Sequence, residues 1–162
     1  MNTDYCKSVK SGLIDDNGLI KLEFIKNSKY PQILANEMSK ATPKLSSKQA
    51  RSFYNVVNKI YLDTIAGTLS MDEAMVELTM LSSRVNDKLN KGSVPVEFKE
   101  FIEMNVDAVH DVNTLKAFIL HFEAICNNLK DVSNTGHGNT PHKTGGYKNN
   151  DNKNNYGGKK KW

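Results

Sequence analysis

What the chain lacks narrows its function before anything it contains. Its two cysteines, Cys6 and Cys126, stand far apart and outside any CxxC pattern. That excludes a disulfide framework and points to a reducing, cytoplasmic compartment. Residues 1–10 lack the apolar core of a signal peptide. No apolar run approaches the roughly 20 residues of a membrane-spanning helix, so no membrane partner is expected. HExxH, Walker-type, GxGxxG and nucleophile-elbow motifs are absent, and with them the usual reasons to expect an enzyme or a cofactor.

Apolar residues are also scarce, at 38% of 162 residues, and the shortage lies at one end. From Ser133 to Trp162 the only large apolar side chains are Tyr147, Tyr156 and Trp162. Such a stretch buries too little surface to offset its conformational entropy, so residues 133–162 are expected to be a disordered Asn/Gly/Lys-rich tail. Its six lysines against Asp151 give +5, leaving residues 1–132 at −1 of the total +4. The basic balance of the whole chain therefore says nothing about the helical domain expected over 1–132.

Within that domain, apolar residues recur at helical spacing, which predicts an all-α bundle of about five helices. Ser46-Ser47-Lys48-Gln49 reads as a capping box, followed by Ala50, Phe53, Tyr54, Val57, Ile60, Tyr61 and Ile65 on one face. A second box, Ser70 to Glu73, precedes Ala74, Met75, Leu78, Leu81, Val85 and Leu89. The expected helices are 31–41, 46–66, 71–91, 95–109 and 112–130, after a partly irregular lead-in over 1–29. Residues 12–26, with the Asp15-Asp16-Asn17-Gly18 turn, fit a hairpin or a loop with one extra helical turn.

Pairs that could support catalysis dissolve on inspection. His121 and Glu123 are two apart on a helix and point away from each other. They and the His110-Asp111 pair read as polar residues of helix surfaces. His137 and His142, without a third ligand, make a poor zinc site. Met71, Met75, Met80 and Met104 read as filler of core and interface.

One feature carries function. Lys48, Arg51, Asn55 and Lys59 recur every three or four residues on the face opposite the apolar stripe, with Lys44 just before them. Cations and an amide in line, with no acid among them, suit a phosphate backbone. A second cluster, Arg84, Lys88 and Lys91, lies near a helix C-terminus, where the helix dipole favours cations in any case. The two arginines of the chain, Arg51 and Arg84, both fall in these clusters.

The segment Lys44-Leu45-Ser46-Ser47-Lys48-Gln49-Ala50-Arg51-Ser52-Phe53-Tyr54 resembles the opening of a long helix in the small subunit of the type III-A CRISPR (Csm) interference complex. Phe118 to Lys130, with Phe122-Glu123-Ala124-Ile125, is similar to that family's closing helix. Val85-Asn86-Asp87-Lys88 departs from it, standing where similar proteins often carry an Ala-Tyr pair and a basic residue. The resemblance implies a non-catalytic subunit whose copies stack on one another along the guide RNA–target RNA duplex, beside the backbone and large subunits. It implies that RNA cleavage, DNA cleavage and cyclic oligoadenylate synthesis belong to other subunits of this antiviral assembly. A helical adaptor that binds only protein, its basic face meeting an acidic partner, is the competing expectation.

Overall fold

The computed structural model describes residues 1–129. The chain runs through α1 (Thr3–Lys10), a 3-10 turn (Leu22–Phe24), α2 (Tyr30–Lys40), α3 (Ser47–Ile65), α4 (Met71–Asn90), α5 (Val96–Asp107) and α6 (Val112–Asn128). The five longer helices start and stop within two residues of the sequence expectation. The final residue expected in the last helix, Lys130, and the tail over 133–162 lie outside the described residues.

Local chemistry sets the boundaries. The Ser46 and Ser70 hydroxyls accept from the backbone N–H of Gln49 and Glu73, and those side chains reach back to the cap backbones. Asp111 with Thr114 builds a third box at the start of α6. Gly67 and Gly92 follow α3 and α4 at φ 73° and 64°, a left-handed conformation that glycine adopts without a Cβ penalty.

The core forms around α6, which packs on α2 and α3, while α4 lies against α3 and α5. Phe98, Phe101, Phe118 and Phe122 are fully buried. Phe118 and Phe122 stack with centroids 5.9 Å apart, and Phe101 meets Phe122 edge-on at 5.2 Å.

Two findings correct the sequence reading, and a third joins the alternatives it left open. The lead-in contains a sixth helix, α1, capped by Asn2 Oδ1, which accepts from the Tyr5 N–H at 3.0 Å. With two buried residues, Tyr5 and Val9, it is too short to show a period. Residues 12–26 combine both alternatives, an isolated antiparallel bridge between Ile14 and Ile20 and then the 3-10 turn. His121 is not on the surface but fully buried. It follows Phe118 by three residues on the inward face of α6, and its polarity disguised that position.

Candidate nucleic-acid interface

Helices α3 and α4 are consecutive and packed against each other, which sets the two basic clusters on one side of the molecule. Gln49 fixes the start of α3 twice over. Its Oε1 accepts from the Ser46 N–H at 3.0 Å, while its Nε2 donates to the Ser93 carbonyl, 2.7 Å away in the α4–α5 loop. Ala50, Val57 and Ile60 are buried on the inner face of α3, whereas Phe53 and Tyr54 are only half-buried at its margins.

On the outer face Lys48, Arg51, Asn55 and Lys59 are all exposed. The first three line one shallow depression with Ser47 and Ser52. Asn55 and Lys59 then turn into a groove whose opposite wall holds Arg84 of α4. A neighbouring groove joins Ser52 of α3 to Arg84 and Lys88. Folding thus brings together six of the eight expected site residues. Lys44, exposed in the loop before α3, and Lys91, just past α4, line none of these three depressions.

Acids divide the cations into two groups. Lys59 pairs with Asp63, which raises its pKa, and Lys91 pairs with Asp87 at 2.8 Å. Glu77 lines the same groove as Lys59. Lys44, Lys48, Arg51, Arg84 and Lys88 have no carboxylate partner within salt-bridge distance among the described residues. Arg51 instead reaches toward Asn127 near the end of α6, with Nη2 donating to Oδ1 at 3.5 Å. The acid-free stripe read from sequence therefore applies to Lys48, Arg51 and Asn55 but not to Lys59. Asp63, one turn further along the helix, was the signal available for that.

The remaining polar groups serve the fold. The Asp111 carboxylate caps α6, and hydrogen bonding from the Thr114 backbone N–H lowers its pKa. His110 lies 3.9 Å from it and is exposed. Burial pushes the Cys126 thiol up to about 11. Among the described residues no three His, Cys, Asp or Glu side chains come together as metal ligands, and no helix is long and apolar enough to cross a membrane.

Comparison with known proteins adds one finding. A family model described as Csm2 Type III-A matches residues 26–130. The match spans α2 to α6 and includes all eight basic-face residues, while α1, the bridge and the 3-10 turn precede it. No curated protein and no solved structure matches the chain.

Proposed function

Since the chain belongs to the Csm2 Type III-A family, we propose that its α3–α4 face binds RNA within the type III-A CRISPR effector complex of which it is a structural subunit. In this reading Lys48, Arg51, Arg84 and Lys88 contact phosphates of the guide RNA–target RNA duplex, with Asn55 as a neutral donor. Copies of the chain stack along the duplex in the cytoplasm and perform no chemistry themselves. Backbone contact suffices, because base pairing between guide and target already supplies sequence specificity.

The observation that carries the proposal is the set of exposed cations without carboxylate partners gathered on one face. Arginine adds geometry to charge, since a guanidinium can hold two phosphate oxygens with parallel hydrogen bonds.

The test is RNA affinity of the full chain at two salt concentrations, for the wild type and the K48A/R51A/R84A variant. Each lost phosphate contact flattens the log–log salt slope by about 0.9 on a duplex, so the triple variant should lose roughly 2.7 when the probe is an RNA duplex. A folded variant with wild-type affinity and slope would leave the protein-only adaptor as the better reading. That alternative draws support from Leu62, Ile65 and Val76, which are 49%, 53% and 62% exposed where α3 turns into α4.

A further inference from the structure

We infer that the groove between α3 and α4 binds one unpaired nucleobase together with its phosphate, an inference that rests on the RNA-binding reading above. The groove is open to solvent and offers about 490 Å³, within the roughly 300–1,000 Å³ of clefts that take small ligands. Its apolar lining is Phe53, Val56, Met80 and Leu81, of which Leu81 is buried and Met80 exposed. Phe53 is held edge-on by Phe98 at 5.3 Å, which fixes its ring from the core side. The rim is polar and basic, with Ser83, Arg84 and Lys88.

This arrangement matches a nucleotide in each of its parts. A base has two apolar faces, for which Phe53, Val56 and Met80 provide contact. It has a polar edge, which the Ser83 hydroxyl can meet. Its phosphate is an anion, and Arg84 and Lys88 have no carboxylate within salt-bridge distance among the described residues. The rim acid, Asp87, is already paired with Lys91 at 2.8 Å, so it does not neutralise them. Charge complementarity thus selects an anion-bearing occupant, and the apolar lining selects one with a flat, weakly solvated ring. A base stacked inside a duplex cannot enter, so the groove requires an unpaired position.

The test compares binding of the full chain to three probes by fluorescence anisotropy: a single-stranded oligouridylate, the same backbone carrying abasic sites, and an RNA duplex. The base-bearing strand should bind about tenfold more tightly than the abasic one, in the range one stacked base contributes. Ser83→Trp, which fills the groove from an exposed position, and Met80→Glu, which puts a carboxylate in it, should each bring that ratio close to one. Both substitutions fall on exposed residues, and circular dichroism checks that the helices persist. In a photocrosslinking arm, 4-thiouridine should attach to peptides of α3 or α4.

If wild-type protein binds both strands equally, the groove holds no base, while the phosphate-binding reading survives. If it binds none of the three RNAs, both fall. If the preference persists in both variants, the base sits elsewhere and the inference is overturned. If Ser83→Trp alters only sedimentation, the groove is a protein contact, which overturns it as well.

Discussion

The hydrogen bonds around His121 assign its tautomer. Nδ1 lies 2.6 Å from the Phe24 carbonyl, which can only accept, so Nδ1 carries the proton. Nε2 then accepts from the Tyr5 hydroxyl at 3.2 Å, and Tyr5 Oη in turn accepts from Asn105 Nδ2 at 2.6 Å. This buried chain ties α1 and the 3-10 turn to α5 and α6. Burial lowers the His121 pKa from 6.5 to about 4, because a charged imidazolium would lie in the core. The unfolded chain therefore binds the extra proton between those values. Stability is fully present above about 6.5 and falls as pH drops toward 4. Urea unfolding should give a stability about 2 kcal/mol lower at pH 5 than at pH 7. His121→Gln should remove most of that difference, and a difference that persists would assign it to another group. Tyr5→Phe leaves Nε2 without its donor and should cost about 1–3 kcal/mol by the same measurement.

Each helix draws on caps, period and partner to a different degree. Helix α4 begins with the exposed Ser70–Glu73 box, in which the Ser70 N–H donates to Glu73 Oε2 at 2.8 Å. Ser70→Ala should lower stability by about 1 kcal/mol. Arg84 lies 14 residues further along, about 21 Å at the rise of an α-helix. The variant should accordingly keep its RNA affinity below the unfolding transition, and a matching loss of affinity would mean that the whole helix responds to its first turn. The caps that predict this behaviour were readable in the sequence, as were most of the inner faces of α3 and α4, since a period of three and four needs no partner to be seen. Ile65 of the α3 stripe is nevertheless exposed. Helix α1 was not readable. Its burial depends on Tyr5 meeting His121 and Asn105, which lie about a hundred residues away in the chain. The candidate site was legible in part for the same reason. Spacing within α3 collects Lys48, Arg51 and Asn55, whereas the meeting of Asn55 with Arg84 and the grooves beside Val56 exist only once α4 packs against α3.

On the scale of the whole molecule, net charge and local charge point in opposite directions. Residues 1–132 sum to −1 while the last thirty carry +5, so long-range attraction to RNA should come mainly from the tail. In the proposed reading the α3–α4 face contributes differently, because its cations are fixed in position by a helix whose other side is core. Long-range attraction affects encounter and nonspecific affinity and is screened over about 10 Å at 0.1 M salt, whereas fixed contacts determine how the bound RNA is held. Removing residues 133–162 separates the two. The shortened chain should keep the melting temperature of the full chain to within a few degrees, because the core aromatics Phe98, Phe101, Phe118 and Phe122 and their partners all precede the cut. Its RNA affinity should drop at low salt and converge on that of the full chain as salt rises. Adding K48A/R51A/R84A to the shortened chain should then abolish the remaining binding. If the shortened chain already fails to bind at low salt while folding normally, the tail alone attracts RNA and the helical face meets protein. A melting temperature lowered by many degrees would instead mean that the tail packs on the bundle.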